Sequence, residues 1–141
     1  MAHTVALILA RLMFAWAFAI AAYGKFTAIG DTAGYIASIG FPMPVVLAWL
    51  AAILETALVI AFLTGILFRE ASLVAALYVL FLGFAFYGPG HWSDPMQFGF
   101  FVSHATFVAG LLFAAVHGPG KFAIEWGWLG HHGGAMDRPA V

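Results

Sequence analysis

The chain contains no cysteine, and its 141 residues include only five Lys/Arg and six Asp/Glu. Without thiols there can be no structural disulfide, iron–sulfur cluster, Cys-ligated zinc or thiol–disulfide relay. The small four-helix membrane thiol oxidoreductases are excluded on the same ground. A water-soluble domain carries roughly a quarter charged residues, whereas the charged share here is 8%. The net charge of −1 and the pI of about 6.6 leave no basic stripe to neutralise phosphates, which excludes nucleic-acid binding. What the chain does have is 65% hydrophobic and 17% aromatic residues and a mean hydropathy of +1.03. Such a composition is built for lipid.

About 20 mostly apolar residues cross the hydrocarbon core as a helix. The sequence predicts four such spans, over 5–24, 45–68, 71–88 and 98–117, interrupted only by Arg11, Glu55 and His104. Ala15-Trp16-Ala17 mimics a signal-peptide cleavage site, but the residues before the first span lack the expected Lys or Arg, so it reads as a span. In the connection from Phe26 to Pro44, Asp31 or Thr32 reads as a helix cap, followed by Tyr35, Ile36 and Ile39 on one side and then Gly40. That spacing predicts a short interfacial helix, and Pro42 and Pro44 suit the entry to the second span. Arg69-Glu70 reads as a very short second loop, and 89–97 as a third connection rich in turn formers. Gly88-Pro89-Gly90 and Gly118-Pro119-Gly120 read as turn chemistry after the third and fourth spans.

The expected fold is thus all-α, a single membrane domain over 1–141 with four transmembrane helices and a short interfacial helix in the first loop. Arg69, Lys121 and Arg138, with Arg11 nearby, lie on the side of the termini, against Lys25 alone on the other. This bias predicts a multi-pass protein of the cell inner (plasma) membrane with both termini cytoplasmic. The tail 122–141, with Trp126, Trp128, His131 and His132, reads as an aromatic interface anchor followed by a polar end.

Ionisable groups at membrane depth need a partner or a cavity, because each costs at least about 2.5 kcal/mol to insert. Counted along each predicted helix, Arg11 lies roughly 9 Å from the cytoplasmic face, Glu55 near the midplane and His104 roughly 9 Å below the outer face. If their helices face one another, these three form a polar ladder. Arg11, Ala15, Phe18, Ala22 and Lys25 form one stripe of the first span, while Ala48, Ala51 and Ala52 flank Glu55 on the second. The same ruler puts Lys25 about 15 Å from Glu55, which makes Arg11 the expected partner. Two readings of that pair stand side by side: an ion pair that fixes helix register, or a carboxylate that handles protons or anchors a ligand. His104 reads either as a hydrogen-bonded packing residue or as a ligand group. Haem fits poorly, since His104 and His117 share one helix thirteen residues apart. His91 and Asp94 in the outer loop, and His131-His132 in the tail, lack the further ligands a metal needs, so no metal site is expected. Tyr78, Phe81, Phe84, Phe86 and Tyr87 read as lipid contact and packing.

Several motifs together resemble the DoxX family of small four-helix membrane proteins, over about 6–122. They are Ala10-Arg11-Leu12, Tyr23-Gly24-Lys25-Phe26, the stretch from Tyr35 through Gly40-Phe41-Pro42-Met43-Pro44, and Leu50-Ala51-Ala52-Ile53-Leu54-Glu55. His91-Trp92 and Gly118-Pro119-Gly120-Lys121 complete the set. Ser103-His104 departs from the pattern, standing where the family typically has Lys-Asn. The resemblance implies a membrane subunit of a redox system, as in the small subunit of a thiosulfate:quinone oxidoreductase or a partner of superoxide-detoxifying and sulfur-transferring enzymes.

These observations lead to the expectation of a quinone-linked redox subunit in the lipid bilayer, working with a protein partner or as a homo-oligomer. Quinone or quinol would be the cofactor, with Arg11, Lys25, Glu55 and His104 as ligand-binding residues and Glu55 as the catalytic proton acceptor. No redox centre of its own is visible, so electrons would come from a partner. The alternatives are a structural or assembly subunit and a small proton-coupled transporter; a counterion beside Glu55 opposes the latter.

Because the chain has no cysteine, each introduced one is a unique topology probe. Single cysteines in place of Ser93 and of Ala135 are expected to react with a membrane-impermeant thiol reagent from opposite sides of the membrane. Labelling of both from one side would refute the orientation.

Overall fold

The computed structural model describes residues 2–120 together with Ala123 and Ile124. All regular structure among them is helical: α1 (Ala2–Thr27), α2 (Ile29–Ser38), α3 (Pro44–Thr64), α4 (Phe68–Tyr87), a 3-10 turn (Pro89–His91) and α5 (Pro95–His117). Helices α1, α3, α4 and α5 are each long and apolar enough to cross a membrane, and α2 is the short helix expected in the first connection. The chain forms two compact units, Met1–Leu63 with α1 to α3 and a second that begins at Thr64 with α4 and α5.

In the first unit, burial follows the helical period. Arg11, Ala15, Phe18 and Ala22 of α1 are buried, and so are Ala48, Ala52, Glu55, Leu58 and Phe62 of α3. Steps of three and four keep each set on one face. The two faces meet, with the rings of Phe14 and Phe18 lying 5.4 and 5.8 Å from that of Phe62. Nearer the other end, Phe26 meets Trp49 edge-on at 5.9 Å. These contacts run in opposite sequence order, so α1 and α3 are antiparallel. Met13, Trp16, Leu50 and Ile53 point outward and stay exposed, as a helix solvated by lipid requires.

The second unit is an antiparallel hairpin of α4 and α5. Gly83 lies against His104, where a Cβ would stand 3.1 Å from that of the histidine, so the helices approach closely at this level. Asp94 caps α5, its side chain accepting from the Met96 amide at 2.9 Å, and Pro95 occupies the first turn, where a missing N–H is harmless. At the far end Gly118 takes φ +85 and ends α5, and its amide donates to the Ala114 carbonyl. The Arg69 guanidinium donates to the carbonyls of Ala115 and Val116, groups that a helix end leaves without partners. Ile124 then returns to Thr64, its amide donating to that carbonyl at 3.0 Å.

Two local expectations need correction. Neither Asp31 nor Thr32 caps α2, since α1 continues to Thr27 and only Ala28 intervenes, with no side-chain cap. The backbone closes this junction itself, the Thr32 amide donating to the Ala28 carbonyl. Arg69-Glu70 is not the second loop but lies in the first turn of α4. The true break is 65–67, where Gly65 (φ +83) and Leu67 (φ +51) adopt left-handed backbone and stop α3 a turn early. An unbroken apolar run concealed that glycine. Of the aromatic tail expected over 122–141, all but Ala123 and Ile124 lies outside the described residues.

Gly118 has backbone angles reserved for glycine, and a Cβ there would come within 2.8 Å of Arg69 Nη2. Gly118→Ala is therefore expected to lower stability by about 1–3 kcal/mol. Gly34→Ala, at an exposed α2 position where a Cβ meets nothing, should be neutral or stabilising by up to about 1 kcal/mol. Denaturant unfolding in mild detergent would check both. Equal losses would show that the backbone at Gly118 is not constrained.

Candidate functional site

Glu55 is the most deeply buried ionisable side chain described in the first unit, and its partner is Lys25. The ammonium donates to both carboxylate oxygens, at 2.7 and 2.9 Å. The carboxylate side chain is 2% exposed and the lysine 20%, so the pair has one enclosed end and one approachable end. Room for the carboxylate comes from Ala48 and Ala52, both wholly buried on the same face of α3. Two charges in apolar surroundings tolerate burial only when paired and hydrogen-bonded, and this geometry meets that condition.

The expected pairing of Arg11 with Glu55 is thereby corrected. Arg11 donates instead to the last turn of α3, from Nε to the Phe62 carbonyl at 3.0 Å and from Nη2 to Leu63 at 2.6 Å. These carbonyls lie seven and eight residues beyond Glu55, roughly 10–12 Å along the helix. A cation at a helix C-terminus satisfies orphan acceptors and complements the helix dipole. The sequence estimate failed because it started every span at one membrane plane. In the structure Phe26 faces Trp49, so the N-terminal turn of α3 extends past the end of α1. Lys25 then starts nearly level with the turn before Glu55, and its four-carbon stem spans what remains.

His104 belongs to the second unit. Its Nδ1 lies 2.7 Å from the Phe100 carbonyl, and its ring is 5.1 Å from that of Tyr87. Ser103 turns away, its hydroxyl donating to the Gly99 carbonyl on an exposed face. Of the residues read as a three-rung ladder, Glu55 and Arg11 lie in the first unit, the one paired with Lys25 and the other at the end of α3, and His104 lies in the second, in an aromatic setting on α5. Sequence reading placed Tyr87 among the packing aromatics but missed Gly83, which lies against the histidine; their spacing of four on α4 was the available signal. It also missed Arg69, which serves α5 as Arg11 serves α3. Asp94, weighed as half of a metal pair with His91, is the α5 cap.

Four lipid-length helices with a buried ion pair define a small multi-pass membrane protein. A model of the DoxX family matches residues 6–88, which include Arg11, Lys25 and Glu55, and the chain belongs to that family. It is 27% identical over 130 residues to the inner membrane protein YphA of Escherichia coli K12, covering 88% of this chain and 91% of that one. It is also 28% identical over 124 residues to the inner membrane protein YqjF of the same strain, covering 86% and 90%. No solved structure matches the chain.

The pairing is measurable as a coupling energy. Lys25→Met alone strands a buried carboxylate and should cost about 3–5 kcal/mol, while Lys25→Met with Glu55→Leu should recover a good part of that loss. The cycle for Arg11→Met with Glu55→Leu should show a smaller coupling, given the distance between those groups. Unfolding titrations of the variants in detergent decide the matter. Equal coupling in the two cycles would restore Arg11 as the partner of Glu55.

Proposed function

We propose that the protein is an integral membrane subunit of a quinone-linked redox system, and that a quinone or quinol headgroup binds at the Lys25–Glu55 pair. The observation that carries this reading is the pair itself, a carboxylate sealed inside the helices with a partly exposed ammonium as its counterion. The partly exposed ammonium is the member of the pair that a headgroup can approach. The residues fit the group: Lys25 can donate to a ring carbonyl, Glu55 can take or return a proton, and the exposed ring of Trp49 lies beside Phe26 next to the lysine. A bound quinone would supply the two-electron, two-proton chemistry, with electrons drawn from the redox centre of a partner protein. Within that exchange Lys25 orients the headgroup and Glu55 holds the proton, while Arg11 fixes the end of α3 that carries Glu55.

The names of the two bacterial relatives support placing this chain in an inner membrane. The Lys/Arg bias supports cytoplasmic termini. A structural or assembly subunit is the second reading, favoured by the fact that Lys25 occupies both carboxylate oxygens. A proton-coupled transporter gains no comparable support.

Glu55→Gln separates the first two readings, because the amide keeps the shape but cannot take a proton. In the assembled native-membrane complex, quinone-linked turnover is expected to fall by about 10²–10⁴-fold while the complex stays intact. Undiminished turnover in an intact complex would leave the pair a structural device.

A further inference from the structure

The chain that leaves α5 comes back to the break between α3 and α4, and it is held unevenly there. At its base Gly118 and Pro119 are buried. The Arg69 guanidinium fastens the end of α5 through the carbonyls of Ala115 and Val116, and a Cβ on Gly118 would run into that guanidinium, so the chain turns directly against it. The tip is held lightly. The Ile124 amide donates to the Thr64 carbonyl at 3.0 Å, while the Ile124 side chain stays 60% exposed. One backbone hydrogen bond contributes little in net terms, because an opened state exchanges it for other partners. A segment with a fixed base and a lightly seated tip can lift.

What lies beneath the tip is strained. In the break at 65–67, Gly65 takes φ +83 and Leu67 φ +51. Left-handed backbone is disfavoured for a residue with a side chain, because its Cβ crowds the following carbonyl oxygen. Leu67 is half exposed and no side chain caps α4 there, so its conformation rests on what surrounds the break. The segment after α5 supplies much of that. Ile124 occupies the Thr64 carbonyl, one of the acceptors that the end of α3 leaves open. Ala123 fills the space beside Gly65, where an added Cβ would overlap that of Ala123 and stand 3.1 Å from its Cα. Pro119 reaches the same position from the base of the segment, 3.4 Å away. Thr64 joins the two parts, giving its carbonyl to Ile124 and its hydroxyl to the Ile66 amide.

We propose that the segment after α5 is a releasable strap that locks the α3–α4 break in its left-handed form. When Ala123 and Ile124 are seated, the Thr64 carbonyl is satisfied and Gly65 is covered. When they lift, both are freed and Leu67 relaxes to ordinary backbone. The strap and the break are coupled through Thr64 and Gly65, so a ligand that favours the lifted segment also loosens the break. Neither Lys25 nor Glu55 takes part, and the device stands or falls independently of the quinone reading.

The test uses the full-length chain in phosphatidylcholine nanodiscs and reads the coupling from both ends. Hydrogen–deuterium exchange of the amides at 64–68 reports on the break. Ile124→Pro lacks the donating amide and is expected to speed that exchange about fivefold or more, whereas Ile124→Ala keeps the amide and should stay within about twofold of the native chain. Exchange in the middle of α1 serves as the reference and should not change. In the reverse direction, the chain has no cysteine, so Ile124→Cys carries a single nitroxide and keeps its backbone amide. Adding Gly65→Ala should drive the strap off and make the nitroxide visibly more mobile, and Ala123→Gly in the same chain should return it toward native mobility. Coupling is reciprocal, so native-like exchange in Ile124→Pro overturns the proposal, as does an unmoved nitroxide in Gly65→Ala. Faster exchange throughout Ile124→Pro, α1 included, marks unfolding rather than release, and the nitroxide comparison then decides alone.

Discussion

A carboxylate buried among lipid-solvated helices is the constraint on which the first unit depends. Glu55 cannot remain charged there without a cation, and it cannot be reached unless the neighbouring side chains are small. The alanines at 48 and 52 and the wholly buried face they share with Phe62 follow from that requirement. So does the stripe on α1 that ends in Lys25. The ion pair sets the level at which α1 meets α3, and the stacked rings of Phe18 and Phe62 continue the same interface one to two turns away. Hydrophobic burial cannot fix such a level, because lipid tails are as apolar as the side chains they contact. A directional pair can.

The same rule governs the polar groups elsewhere. Among the described residues, no buried side-chain nitrogen or oxygen lacks a hydrogen-bond partner. Hydroxyls within the helices fold back on carbonyls of the preceding turn, as Thr56 does to Ala52 and Ser72 to Phe68. The two arginines of the described helices do what hydroxyls cannot, reaching across to the open carbonyls of a neighbouring helix, Arg11 at the end of α3 and Arg69 at the end of α5. Each places its charge at a helix terminus, where the dipole favours it. Lys25 is different in kind. Its charge goes to the carboxylate of Glu55 rather than to the carbonyls of a helix end.

That difference connects the fold to its functional reading. Membership of the DoxX family establishes the class of molecule, but fold and family do not specify a reaction. Chemistry must come from groups that are oriented, incompletely shielded and able to change protonation state. Lys25, partly exposed beside the buried Glu55, is the group of the first unit on which the proposed function rests. Arg11 donates to the carbonyls at the end of α3.

The sequence by itself determined the helical fold, the four apolar spans and the buried stripes, because helical periodicity and the width of a bilayer act on residues close together in the chain. It also located Glu55, whose charge in an apolar run required burial with a partner. Two things were decided only by the tertiary structure. The identity of that partner depended on the offset between α1 and α3, which the Phe26–Trp49 contact marks and which no count along a single helix contains. The end of α3 depended on left-handed backbone at Gly65 and Leu67, invisible inside an apolar run.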